Sequence, residues 1–322
     1  MSVTPAVSAK EHRLPSWALA LLRRPGTNEP LAEAPDGLIS PSGARVPLTA
    51  TGIPLFAEQA MSPEASAQQR HYDRVAKAYA ANLGYPHTAE YMAYLDRALL
   101  EALEEPLGDC AEICCGRGEA IALLADRVVR TIGIDVSVAM LEEAARSRGG
   151  ARAVFVQGDA TMLPLASAGF DSVFMLGGIH HVNDRATLFS EVARILKPGG
   201  HFYFREPVDD FALWRWIRAL VYRLSPALDS ATERPLRHDE TVAALERAGL
   251  RLTQWRTYGL LGFCVFMNSD VLIVNRLFRF LPGIRALTRA AARFDDWVLR
   301  LPGFARLGLQ VVGVARKDRG TR

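Results

Sequence analysis

Residues Glu112 to Ala120 read E-I-C-C-G-R-G-E-A: a carboxylate, two adjacent cysteines and two glycines between an apolar run and a helical one. Three chemistries compete for such a stretch: a phosphate cradle, a metal or redox site, and a seat for another nucleoside-like ligand. A Walker loop needs G-x-x-x-x-G-K-[ST], and no Lys-Ser or Lys-Thr follows; the dinucleotide fingerprint needs a third glycine that is absent. Gly116 and Gly118 allow a tight turn and close approach of backbone to ligand. Glu112, two residues ahead of the loop, repels a pyrophosphate but suits a cationic amino group. The four cysteines, Cys110, Cys114, Cys115 and Cys264, form no C-x-x-C and no second pair at zinc spacing. They read as small apolar fillers in a reducing compartment, and no metal site is expected.

The elements that must position this loop follow from periodicity. CAEICC, RTIGID, ARAVFVQGD, FDSVFMLGG and HFYFREP are apolar runs of strand type. Helical patterns separate most of them: EAIALLADRV, SVAMLEEAARS with Ser137 as N-cap, and DRATLFSEVARIL, stopped by Lys197-Pro198-Gly199-Gly200. Repeated β-α-β with short links predicts an open, mostly parallel sheet covered on both faces. Its ligand belongs beyond the carboxyl ends of the strands, beside strand one, where EICCGRGEA lies. RLTQWRTYGL and LGLQVVGVARK are the expected last two strands, with an acceptor-cap insertion between them at about 258–307. Residues 1–62 read as a loop-rich leader, 63–105 as a helical lid and 106–322 as the ligand-binding domain.

In this order the residues resemble class I S-adenosylmethionine-dependent methyltransferases, of the small-molecule type related to the ubiquinone/menaquinone methyltransferases. The loop is similar to that family's E/D-x-G-x-G-x-G, with Cys114 at the first glycine position. The blocks GIDVS, QGDATMLPLASAGFD, FDSVFMLGGIHHV and ILKPGGHFYFREP follow at family spacing over about residues 108–206. The resemblance implies a Rossmann-like, doubly wound seven-stranded sheet, mostly parallel with an antiparallel last strand, carrying helical lid and cap insertions. It implies S-adenosyl-L-methionine as cofactor, seated by Glu112, Cys114, Gly116 and Gly118. Asp135 would take both ribose hydroxyls, which suits a carboxylate's two acceptor oxygens. Val136 and Met140 would lie near the adenine, Asp159 would accept from its amino group, Ala160 would offer a backbone N–H, and Leu176 would complete the contacts. HYDRVAKAYA resembles the family's lid helix, with Tyr72 and Tyr79 closing over the methionine end.

Methyl transfer from a sulfonium asks the protein to align nucleophile and methyl carbon and to exclude water. A base is needed only for a nucleophile that holds its proton tightly. His181 is the favoured base, with His180 and Glu206 as further catalytic candidates, because imidazole titrates near neutrality.

The leader's RVPLTATGIPLF resembles the tail of a zinc-ribbon leader found ahead of some bacterial methyltransferases. Arg24, Thr27, Ser40 and Gly43 stand about where that pattern has cysteines, so no zinc is expected.

Composition bounds the rest. The 322 residues are 49% apolar, with a formal net charge of +3. The N-terminus lacks a basic start followed by an apolar core, and no stretch is long enough to span a membrane. From Arg251 to Arg322, thirteen Arg or Lys face four acids, interleaved with aliphatics. That pattern suits peripheral membrane contact through the basic-apolar C-terminal region better than nucleic acid. A cytoplasmic protein is expected, peripheral to the inner face of the membrane if that contact forms, as a monomer or homodimer. The favoured function is methylation of a small, fairly apolar metabolite, with secondary metabolism as a setting. The alternatives are a quinone or lipid methyltransferase at the membrane surface and a non-catalytic cofactor-binding regulator.

Overall fold

The computed structural model describes residues 14–56, 61–63, 65–70, 84–216, 234–267 and 273–319. Seven strands form one sheet: β4 (Asp109–Ile113), β5 (Arg130–Asp135), β6 (Ala153–Gln157), β7 (Phe170–Leu176), β8 (Leu196–Pro207), β9 (Leu250–Tyr258) and β10 (Gln310–Lys317). Their spatial order is β6-β5-β4-β7-β8-β10-β9. The pairs from β6 to β8 are parallel, and β10 runs antiparallel to both neighbours. This is the expected Rossmann-like sheet. The order reverses beside β4, so the crevice opens at the end of that strand.

Both faces are covered, which is why the parallel strands read as continuous apolar runs. Along β7, Val173 and Met175 pack to one face and Phe174 to the other; along β8, Phe202 and Phe204 oppose Tyr203. One face carries α5 (Arg185–Ile195) and α6 (His238–Arg247), packed through Leu188, Phe189, Val192 and Leu245. The other carries α2 (Pro86–Glu101), α3 (Glu119–Leu124), α7 (Leu261–Phe266) and α8 (Ile284–Leu299). Helix α4 (Val138–Arg148) packs on Phe155 of the edge strand through Leu141 and Ala144.

The leader holds more regular structure than its composition announces. Helix α1 (Ser16–Leu21) precedes an antiparallel sheet of β1 (Ala32–Ala34), β2 (Gly37–Ile39) and β3 (Arg45–Pro47). Leu22, Leu38, Val46 and Phe56 are buried in the same core as α5. Gln157 N–H donates to Pro54 O at 2.9 Å and Phe56 N–H to Gln157 O at 3.2 Å, so the leader shields the β6 edge. Its two tight turns meet at Glu29, whose Oε2 accepts from Ser42 Oγ at 2.8 Å and from Arg24 and Thr27 at 3.3 Å. Ser40 Oγ lies 2.8 Å from Ser42 Oγ. Polar side chains thus join the two turns.

Between β9 and β10 the described residues include α7, a 3-10 turn at Ile273–Phe280 and α8. Asp295 of α8 is fully buried and accepts from Leu260 N–H at 2.8 Å, Gly262 N–H at 3.0 Å, Phe263 N–H at 3.1 Å and Tyr91 Oη at 2.8 Å. One carboxylate therefore knots α2, α7 and α8 together. Burial beside it pushes the Tyr91 hydroxyl well above its ordinary range. Gly262 is obligatory at this crossing, because a Cβ there would stand 2.8 Å from Asp295 and 3.0 Å from Ala291.

Candidate functional site

A cavity of about 370 Å³ opens at the carboxyl ends of β4, β5, β6 and β7. Of the residues expected to hold a cofactor, Cys114, Gly116, Asp135, Val136, Met140, Asp159, Ala160 and Leu176 line it, and so does His181. Glu112, Gly118, His180 and Glu206 do not, and Tyr72 and Tyr79 lie outside the described residues.

The loop after β4 explains itself residue by residue. Cys114 sits at φ 52°, Gly116 at φ 49° and Gly118 at φ 74°. A left-handed residue with a Cβ costs roughly 1–2 kcal/mol, so Cys114 carries the strain that a glycine avoids. Its side chain has room because Gly178, on the loop leaving β7, lacks one. A Cβ on Gly178 would meet Cys114 Cβ at 2.6 Å. Burial, with Asp135, Glu206 and Asp159 nearby, pushes the Cys114 thiol well up, so it stays protonated and is a poor nucleophile at neutral pH. Gly116 meets nothing within 4 Å at its Cβ position, whereas Gly118 packs beside Arg148 and Phe155. Gly116 therefore faces the ligand space, and Gly118 serves the turn into α3.

Glu112 corrects its expected place. It is buried, and its carboxylate accepts from Ala120 N–H at 2.8 Å and Ile121 N–H at 2.9 Å. Gly118, the N-cap of α3, has no side chain to satisfy those donors, so a carboxylate from the preceding strand does it. Burial lifts the Glu112 carboxyl to about 8, against the pull of the two amides. The acid that faces the cavity instead is Glu119, at the first turn of α3. Burial raises its carboxyl too, offset by Arg205, whose Nη2 stands 3.6 Å away. Arg205 is itself buried and paired with Asp96 of α2 at 2.5 Å. The position of Glu119, one residue past G-x-G, was readable in the sequence; its partner on β8 was not.

Asp135 ends β5. Its Oδ2 accepts from Gly116 N–H at 2.8 Å and its Oδ1 from Ser137 N–H at 2.9 Å, which ties the glycine loop to the neighbouring strand. Ser137 caps α4 by accepting from Met140 N–H at 3.3 Å, and that cap sets Met140 in the cavity wall. Asp159, after β6, accepts from Thr161 N–H at 2.8 Å, Thr161 Oγ1 at 2.7 Å and Ser62 N–H at 2.9 Å. Burial raises its carboxyl, but these bonds outweigh burial and hold it below its ordinary range. Ser62 and Gln68 of the cavity wall belong to the segment after the leader, and nothing in their local sequence marks them.

Glu206 and His180 also change place. Glu206 is fully buried; its carboxylate accepts from Gly178 N–H at 2.7 Å, Ile179 N–H at 2.8 Å and His180 Nδ1 at 2.8 Å. It holds the 3-10 turn Ile179–His181, rather than reaching the cavity. The His180 ring lies 3.9 Å from that of His181, centroid to centroid, so the chain Glu206–His180 backs the histidine that does face the cavity.

A cavity walled by Ile113, Ile134, Met140 and Leu176 and edged by Glu119, Asp135, Asp159 and Asp184 is apolar in its faces and acidic at its rim. It repels a pyrophosphate and fits a nucleoside that carries cationic groups.

Known proteins agree with that geometry. Residues 111–204 match the family model of the methyltransferase domain. The demethylmenaquinone methyltransferase of Beutenbergia cavernae is 36% identical over 111 residues, covering 34% of this chain and 45% of that one. The 27-O-demethylrifamycin SV methyltransferase of Amycolatopsis mediterranei is 37% identical over 107 residues, covering 32% and 38%. The matched region thus spans less than half the length of these curated relatives. A solved S-adenosylmethionine-dependent methyltransferase from Thermotoga maritima superposes with TM-score 0.52 at 21% identity, over 78% of this chain and 99% of that one. That likeness is one of fold. The cradle at the ends of β4 to β7 coincides with the stretch that matches the methyltransferase domain model.

Proposed function

We propose that the chain transfers a methyl group to a small, fairly apolar metabolite. The observation that carries this reading is the cavity itself: apolar faces, with Asp135 and Asp159 at the ends of adjacent strands and His181 on the opposite wall. S-adenosylmethionine, when bound, supplies a methyl carbon activated by a sulfonium. Asp135 binds the ribose hydroxyls, Asp159 and Ala160 the adenine edge, and Met140 packs near the base. Glu119, rather than Glu112, takes the ammonium group, because it is the acid of the motif that faces the cavity. His181 removes the acceptor's proton where the nucleophile holds one, with Glu206 and His180 orienting the turn that carries it. Relatives named for demethylmenaquinone, 27-O-demethylrifamycin SV and fatty acid support a fairly apolar acceptor.

Calorimetric titration with S-adenosylmethionine tests the premise. Micromolar binding is expected, and Asp135→Ala should weaken it at least about tenfold, the loss of about one charged hydrogen-bonding partner. Absence of binding at millimolar cofactor would sink the proposal. A metabolite screen with labelled methyl donor then identifies the acceptor, and binding without turnover on any acceptor would favour the regulator.

A further inference from the structure

Helix α8 carries three stripes rather than two. Ile284, Thr288, Ala292, Asp295 and Leu299 face inward, at helical spacing. Arg285, Arg289, Arg293 and Arg300 form the next stripe, and all are exposed. Leu287, Phe294 and Trp297 form a third, each at least half exposed to solvent. Phe294 and Trp297 lie with ring centroids 5.9 Å apart. The basic stripe flanks α2, where Arg289 pairs with Glu90 at 3.1 Å. The apolar stripe runs on the side of α7, whose Gly262 abuts Ala291 and whose Leu261 is also exposed. The turn Ile273–Phe280 before α8 adds exposed Leu277 and Phe280, with Arg279 stacked on the Phe280 ring.

An exposed apolar stripe alone does not name its occupant; the charge beside it does. From residue 273 to residue 306 the chain has seven arginines and two aspartates, and one of the two, Asp295, is buried. Arg285 and Arg293 make no ion pair among the described residues. A second copy set on this face about a two-fold axis would bring arginines against arginines. A nucleic acid would meet the arginines but leave the Leu-Phe-Trp stripe in water. An anionic bilayer meets both: the stripe enters the boundary of headgroups and acyl chains, and the arginines reach lipid phosphates from its edge.

We infer that α8 and the turn before it dock the protein, lying flat, on an anionic membrane surface. Among the described residues no helix is long and apolar enough to cross a membrane, so the contact is one of surface docking. This inference does not depend on methyl transfer, since docking is read without cofactor.

The test is flotation of the full chain with phosphatidylglycerol–phosphatidylcholine vesicles, set against pure phosphatidylcholine. Binding to the mixed vesicles alone, lost at high salt, is expected. Arg285→Glu with Arg293→Glu should weaken it by at least about fivefold for each arginine removed. Phe294→Ser with Trp297→Ser should weaken it independently, with cofactor titration and thermal unfolding unchanged in both pairs. No flotation with the mixed vesicles overturns the inference, as does flotation that neither pair alters. A concentration-dependent dimer abolished by the Phe294/Trp297 pair, or retention of RNA abolished by the arginine pair, with vesicles unbound, would also overturn it.

Discussion

The cofactor cradle and the α2–α7–α8 cap are built on the same device, a buried carboxylate that accepts several backbone amides, but at different reach along the chain. In the cradle, Glu112 serves amides eight and nine residues away, across a single strand-to-helix turn. In the cap, Asp295 serves amides 32 to 35 residues away and a tyrosine hydroxyl 204 residues away. Local devices leave a sequence motif, because spacing is set by one turn. Distant ones leave only an acid in an apolar helix, since any arrangement that brings the partners together will do. The cradle's device therefore carries a motif, while the cap's knot carries none.

The comparison can be broken at its two carboxylates. Glu112 binds its proton more tightly in the folded state than in the unfolded chain, with its carboxyl lifted to about 8 from an ordinary value of 4.5. The unfolded chain loses that proton first, so the contribution to stability is full below about 4.5 and falls as pH rises towards 8. The loss is as much as ~5 kcal/mol, counting 1.36 kcal/mol per pKa unit. Urea unfolding across this window should show the decline in the native protein and a flatter profile in Glu112→Gln. A native profile as flat as that of Glu112→Gln would refute this role for Glu112. Asp295→Ala strands three amides and the Tyr91 hydroxyl, and should cost about 3–5 kcal/mol by the same assay. Cofactor affinity should stay unchanged in that variant, and a parallel collapse would merge the two regions into one cooperative site.

A smaller effect sharpens the comparison inside the cradle. Gly178→Ala drives a Cβ against Cys114 and should destabilise by about 1–3 kcal/mol. In a Cys114→Gly background much of that cost should vanish, which a double-mutant cycle would read as coupling. Cys114→Gly alone should shift stability by less than about 1 kcal/mol, because relief of the left-handed residue is offset by glycine's greater unfolded-state entropy. Additive effects would mean that Gly178 does not exist to accommodate the cysteine.

Much of the fold was legible. The strands at RTIGID and FDSVFML match their apolar runs closely, and Ser137 caps α4 as its type and place announce. Near the site, legibility ended where side chains choose between a ligand and the backbone. Glu112 and Glu206 have the residue type and the position of site acids, yet each turned towards unsatisfied amides of the adjoining loop. Ser62 reaches Asp159 across 97 residues, a contact that no local spacing encodes.

The sequence by itself determined the parallel sheet, the placing of its crevice after β4, and the acids at the ends of β5 and β6, because periods of two and 3.6 residues and single turns are local properties of the chain. Only the tertiary structure decided which carboxylates face the cavity and which hold amides, that Gly178 makes room for Cys114, and that α8 turns arginines and aromatics outward together. Those outcomes depend on which buried donors go unsatisfied and which surfaces meet, and neither exists until the elements pack.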